Sequence, residues 1–143
     1  MEIKKWEYTD NKLVATLSKK CFDNFWSFEM VSDTFTQDNF IGFVAKENEK
    51  LLGFIAMVHC LDECEIELVA VDNECRRKGI ATMLLNHSES VLKQMGIKKI
   101  MLEVRRSNEE AQGFYESHNF KYVGCRKNYY GGVEDALLMT KII

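Results

Sequence analysis

Apolar positions change period several times along the chain, and each change marks an element boundary. Ile3, Trp6 and Tyr8 open a short apolar alternation. Leu13, Leu17, Lys20 and Cys21 recur at helical spacing, as do Phe28, Val31 and Phe35, with Ser27 as the N-cap of the second helix. Residues 40–45 and 51–58 read as strands joined by polar residues 46–50, a β-hairpin. A third strand is predicted over 65–71, alternating at first and fully apolar at its end, as suits a central strand covered on both faces. Ile80, Met83, Leu84, His87, Val91, Leu92 and Met95 form the apolar stripe of a long helix, closed by Gly96 as its C′ residue. Residues 97–104 read as a strand. Ser107 and Glu110 fit a capping box that opens a short helix carrying Ala111, Phe114 and Tyr115. Residues 120–125 and 136–142 read as two closing strands. This order predicts an α/β (α+β) fold with a mixed sheet and flanking helices, not a doubly wound parallel sheet.

The length of 143 residues fits one domain, expected over 1–143. Apolar residues make up 46% and charged residues 29%, which excludes general disorder. The formal charge is −3, from 19 basic and 22 acidic residues. A duplex-binding module carries a basic excess, so nucleic acid is not the expected partner. Mild acidity suits a basic protein or peptide instead. No apolar run follows the first six residues as a secretory signal would, and none is long enough to cross a membrane. The 5 cysteines, an odd number, fit reduced thiols in a cytoplasmic protein.

Candidate chemistry concentrates in residues 69–82. A buried strand runs into a basic loop, Arg76-Arg77-Lys78-Gly79, and the loop opens a helix. Free backbone N–H groups at a helix start bind phosphate well, and Gly79 and Ala81 leave room for it. A solvated basic turn reads equally well. Glu103, near the end of an apolar strand, needs a partner or solvent. It serves as a base or is a plain surface residue. Tyr115 packs beside Phe114 or reaches a ligand. Asn108 caps a helix, contacts a ligand, or both. His59, Cys60 and Cys64 offer half of a metal site with no second half, so no metal is expected. Gly131 and Gly132 make residues 129–132 a mobile loop whose Tyr129 and Tyr130 could wall a peptide groove, or else a plain β-turn with one tyrosine packed.

Arg76-Arg77-Lys78-Gly79-Ile80-Ala81 resembles the [QR]-x-x-G-x-[GA] acetyl-CoA motif of the GNAT N-acetyltransferases, and stands where that family has it. The stretches from Leu102 to Asn108 and from Phe114 to Phe120, Asn128-Tyr129-Tyr130, and Glu134-Asp135-Ala136 are similar to segments of one branch, the RimI-type ribosomal-protein-alanine N-acetyltransferases. The segment from Phe22 to Phe28 is similar to that branch's substrate-side region. The resemblance spans nearly the whole chain. Asn119 replaces the usual Gly, and Asn tolerates a left-handed backbone best after Gly. The prolines that the family often has before Trp26 and after Asp72 are missing.

The resemblance implies a GNAT fold, with a mostly antiparallel sheet of about six or seven strands. It implies acetyl-CoA as co-substrate, held by Val69, Ala70, Val71, Arg76, Arg77, Lys78, Gly79, Ile80, Ala81, Thr82 and Asn108. Backbone groups of Val69 and Val71 would lie beside the thioester. Glu103 would act as general base and Tyr115 as general acid, while Trp26, Tyr129 and Tyr130 would line the acceptor groove. The implied reaction is direct attack by an amine. The implied acceptor is a protein N-terminus, the alanine of a small-subunit ribosomal protein. Two alternatives stay open: acetylation of a small amine or Lys side chain, and a CoA-binding regulatory module without turnover.

Proton arithmetic bears on the acceptor. An α-amine of pKa near 7.7–8.0 is roughly one-tenth neutral at pH 7, whereas a Lys amine near 10.4 is neutral about once in a few thousand. Deprotonating Lys at pH 7 therefore costs about 4–5 kcal/mol, and an α-amine needs only modest help from a glutamate. A phenol near pKa 10 protonates a thiolate near 8.5 uphill by about 2 kcal/mol. Tyr115 therefore needs a lowered pKa or serves in positioning.

Overall fold

The computed structural model describes residues 1–143. Seven strands form one sheet: β1 (Glu2–Lys5), β2 (Phe40–Glu47), β3 (Lys50–Cys60), β4 (Glu63–Val71), β5 (Lys99–Arg105), β6 (Lys121–Tyr130) and β7 (Glu134–Ile142). Four α-helices flank it: α1 (Asn11–Cys21), α2 (Phe28–Phe35), α3 (Ile80–Gln94) and α4 (Glu109–Ser117). The strand order is β1-β2-β3-β4-β5-β7-β6. Only the β4–β5 junction is parallel. This is the mixed, mostly antiparallel GNAT sheet that the resemblance implied.

Strand alternation divides the core between the two faces. On one face Phe43, Ile55, Ile66, Ile100 and Leu102 pack against Ile80, Leu84, Leu85 and Leu92 of α3. On the other, Val44, Phe54, Ala56 and Ala70 meet Val14 and Leu17 of α1, Val31 of α2 and the buried Trp6. Helices α1 and α2 pack on β2, β3 and β4. Trp6 is 2% exposed, and its indole N–H donates to Asn11 Oδ1 at 2.7 Å. Gly42 is required beside it, because a Cβ there would lie 2.6 Å from the indole.

Most element boundaries move outward from the sequence expectation. Strands β2 and β3 close through a two-residue turn with Asn48 at φ 58°, shorter than the five-residue connection. Gly96, at φ 85°, ends α3 as expected, and Ile97 N–H bonds back to Leu92 O. That turn holds Ile97 outside β5, which begins at Lys99. The N-cap of α4 is Asn108, whose side chain accepts from Ala111 N–H at 3.1 Å. Ser107 is not the cap; its hydroxyl donates to Glu134 at 2.6 Å. Tyr129 and Tyr130 end β6 rather than forming a loop, and only Gly131, Gly132 and Val133 make the turn. Asn128 N–H donates to the Asp135 carboxylate at 2.9 Å, which extends the hairpin past the predicted stop at 125. Asn119 is left-handed at φ 69°, the conformation expected where the family carries Gly.

Candidate active site

The site begins at a defect in the sheet. Residues Ala56 and Met57 of β3 pair with Leu68 and Ile66, which leaves Glu67 unmatched in a β-bulge. Strand β4 pairs with β5 only from Glu63 to Glu65. Past the bulge the two strands have no paired residues. The sheet is split there, and the β5-facing edge of β4 has no ladder partner up to Val71.

Beyond Val71 the chain is tied down before it turns. Asp72 accepts from Glu74 N–H at 3.1 Å and from Lys20 Nζ at 2.9 Å. The Lys20 ammonium, then the backbone bond, hold the Asp72 carboxyl below the usual carboxylate range. Arg77 follows at φ 65° and Gly79 at φ 76°, two left-handed residues that swing the chain into α3. A left-handed arginine is uncommon and marks local strain. The first backward bond of α3 is Met83 N–H to Gly79 O at 2.9 Å. The N–H groups of Ile80, Ala81 and Thr82 thus have no intrahelical partner and point out of the helix start. A Cβ on Gly79 would meet no protein atom within 4 Å, so the space in front of the turn is open.

That space is a cleft of about 600 Å³ between the end of β4, the start of α3 and α4. Val69, Ala70, Val71, Arg76, Arg77, Gly79, Ile80, Ala81, Thr82, Asn108 and Tyr115 line it. Lys78 belongs to the same turn but not to the lining. Cys21, Phe22, Cys75, Glu110, Ala111 and Phe114 complete the wall. None of these six was named as a cofactor-binding residue, although Cys75 lies within the 69–82 stretch and Phe22 opens the segment read as substrate-side. The spacing of Ala111 and Phe114 on the Tyr115 helix could have found two of them; the end of α1 carries no local signal. Thr82 Oγ1 lies 3.1 Å from His118 Nε2, a link between α3 and α4. Such a cleft offers backbone donors, a helix dipole and arginines to a phosphate, with apolar walls for a thin chain. Tyr115 meets Phe114 and Phe120 edge-to-face, with ring centroids 5.2 and 5.4 Å away. Burial pushes its phenol up to about 12, opposite to the lowering that would ease proton donation.

Glu103 is not in this cleft lining. Ile100, Leu102 and Val104 of β5 face the α3 core, so Glu103 faces the other side, beyond the strands that α1 and α2 cover. Glu65 shares that face. Arg126 Nε stands 3.3 Å from Glu103 Oε1. Burial, then the Glu103 charge, raise the Glu65 pKa; burial and both neighbouring carboxylates raise that of Glu67. The two glutamates were visible as the polar positions of the alternating strand, but nothing local tied them to Glu103. Tyr129 and Tyr130 stand on this side, under Arg126 at 5.5 Å and Arg105 at 4.2 Å from their ring centroids. Trp26 is apart from both groups: its backbone N–H donates to Ser18 Oγ at 2.9 Å, and its ring packs on the α1 core.

No three His, Cys, Asp or Glu side chains converge as a metal-binding group. All 5 cysteines are free thiols, and burial pushes Cys64 up to about 12. No helix is long and apolar enough to cross a membrane.

A bulged, split sheet beside a strand-to-helix turn with free N–H groups makes a cleft suited to a phosphate-bearing ligand laid along the open strand edge. Comparison with known proteins names the family. The profile of the acetyltransferase (GNAT) family matches residues 11–120. The chain is 35% identical over 106 residues to the ribosomal protein bS18-alanine N-acetyltransferase of Escherichia coli (strain K12), covering 72% of each chain. It is 49% identical over 74 residues to an N-alpha-acetyltransferase of Saccharolobus solfataricus, 51% of this chain and 44% of that one. The crystal structure of the ribosomal-protein-S18-alanine N-acetyltransferase from Escherichia coli matches with a TM-score of 0.93 at 30% identity, over 99% of this chain and 93% of that one. The chain belongs to the GNAT family and is an acetyl-CoA-dependent acetyltransferase.

Proposed function

We propose that this protein, as one catalytic domain over 1–143, transfers acetyl from acetyl-CoA to the α-amino group of a protein N-terminus, with the alanine of a ribosomal protein as the preferred acceptor. The observation that carries the acceptor is the likeness to the bS18-alanine enzyme, which extends over 99% of this chain in structure.

The co-substrate supplies an activated thioester. Its pyrophosphate suits the free N–H groups of Ile80, Ala81 and Thr82, with Arg76, Arg77 and Lys78 adding charge. Its pantetheine arm suits the unpaired edge of β4 at Val69, Ala70 and Val71. A backbone N–H on that edge polarises the thioester carbonyl. Asn108 flanks the opposite wall.

The acceptor amine approaches from the Glu103 side. A cationic N-terminus is drawn to Glu65, Glu67 and Glu103. Glu103 takes a proton from the ammonium, directly or through one water. The neutral nitrogen forms a bond to the acetyl carbon and loses its second proton as the carbon–sulfur bond breaks; that proton passes through solvent to the departing sulfur, so that the products are the amide and the CoA thiol. A phenol near 12 lies about 5 kcal/mol above a thiol near 8.5 as a proton donor. Tyr115 therefore acts as a fixed O–H donor hydrogen-bonded to the departing sulfur, rather than as a strong acid. Tyr129 and Tyr130 wall the groove, and Trp26 braces the α1–α2 segment beside it.

Incubation of the enzyme with acetyl-CoA and a peptide bearing a free N-terminal Ala followed by basic residues, with mass mapping of the product, tests the reading. Acetyl is expected on the first residue, and an N-terminally blocked peptide is expected to be inert. Acetyl on internal Lys, or only on small amines, would refute the N-terminal assignment.

A further inference from the structure

We propose that Arg126 is a positioning residue for the reaction: it fixes the Glu103 carboxylate and compensates the negative charge gathered around it, an inference that rests on the reading of Glu103 as the base.

The geometry comes from the strand register. Strand β7 lies between β5 and β6. Glu103 pairs with Leu138 of β7, and Leu138 with Gly124 of β6. In the neighbouring row Arg105 pairs with Ala136, and Ala136 with Arg126. Paired residues share a face, so all six lie on the side away from α3. Gly124 has no side chain opposite Leu138, and the fully buried Ala136 has a short one. Arg126 can therefore cross diagonally over β7 and reach Glu103 at 3.3 Å.

The charges around Glu103 show why a cation belongs there. From β4 it is faced by Glu65 and Glu67, both raised in pKa partly by Glu103 itself. From β6 it is faced by Tyr130 and Arg126. From β7 comes only the apolar Leu138. On its own strand Arg105 is engaged elsewhere, with Glu134 at 3.9 Å and the Tyr130 ring at 4.2 Å. Arg126 is the single ion-pair partner of Glu103. Without it, Glu103 would face Glu65 and Glu67 with no cation paired to it. A base needs a carboxylate kept charged and aimed, which a paired cation provides. Arg126 is also 56% exposed and stands over Tyr129, so it can move aside as the acceptor ammonium arrives without leaving a buried charge.

The test is kcat/KM against pH for wild type, Arg126→Gln, Arg126→Lys and Glu103→Gln, with one peptide. The titration of the acceptor is common to all and cancels in the ratios. Removing the cation takes away the only ion-pair partner of the Glu103 carboxylate, so the loss falls at the acid end. For Arg126→Gln we expect kcat/KM to fall increasingly below wild type toward acid pH, by about two-fold near pH 5.5, and to rejoin wild type near pH 8.5. Arg126→Lys should recover most of this, and CoA affinity should be unchanged. An Arg126→Gln profile that superposes on wild type, or lies below it by one factor at every pH, overturns the inference. Glu103→Gln separates the two readings. If it is inactive while Arg126→Gln matches wild type, only the role of Arg126 falls; if it turns over as wild type, the base assignment falls and this inference with it.

Discussion

The two sides of the split sheet are built in different ways. On the cofactor side, recognition belongs to backbone: unpaired N–H groups at the start of α3, an unladdered strand edge, and two left-handed residues in one turn. On the side proposed for the acceptor, the available groups are charged side chains from β4, β5 and β6. A backbone cradle is rigid and tolerant of side-chain change, so it suits a co-substrate that never varies. A charged side-chain surface is easily altered, which suits an acceptor that differs between relatives.

If that contrast holds, the largest effect comes from the acceptor side. Glu103→Gln should lower kcat about 100-fold or more and leave CoA affinity near wild type, because on the proposed reading it removes the base and touches no cofactor contact. The deficit should narrow at high pH, where the amine is already neutral. Calorimetry with CoA and steady-state kinetics on the same preparation check both halves. A parallel loss of CoA affinity would break the division.

Gly79→Val makes the complementary cut. The valine must adopt φ near 76°, and its side chain would stand in the open space before the turn. The Kd for CoA should rise about ten-fold, consistent with a few kcal/mol at most from one strained residue. The KM for peptide should stay within about two-fold, a loss of less than 0.5 kcal/mol. Tyr115→Phe follows, with kcat lower by about ten-fold, the worth of one hydrogen bond to a charged group. Because the phenol titrates only at about 12, no alkaline limb below about pH 11 should vanish with the hydroxyl. Loss of such a limb would mean that Tyr115 titrates within the working range.

The same contrast decides what the sequence revealed. Residues 69–82 are contiguous, so strand, turn and helix start could be read together, and eleven of the predicted site residues meet in one cleft. The succession of elements and the mixed sheet followed from alternation and turn residues, whereas the strand order, with β7 between β5 and β6, did not. The bulge at Glu67 was hidden, because strand alternation carries no mark of where its partner slips register. Arg126 and Glu103 are 23 positions apart and meet only across an intervening strand. No local pattern encodes that. The extension of β6 to Tyr130 was missed for a related reason. Its last turn is tied by the Asp135 side chain rather than by a regular ladder.

The smallest predicted effect tests the cofactor wall through its cap. Ser107 and Asn108 are adjacent, and either could cap α4 on composition alone. In the structure Asn108 accepts from Ala111 N–H, while Ser107 is turned toward Glu134 on the hairpin. Asn108→Ala should therefore cost about 1 kcal/mol of stability, and Ser107→Ala only a few tenths, because its bond is exposed and Glu134 can be solvated instead. Chemical denaturation resolves the difference. Asn108→Ser then separates cap from contact: a hydroxyl caps nearly as well as an amide, so stability should return to within a few tenths of a kcal/mol of wild type. Any CoA affinity that stays lost in Asn108→Ser belongs to the amide as a direct contact. Full recovery would mean that Asn108 serves the cleft only by holding the first turn of α4 in place.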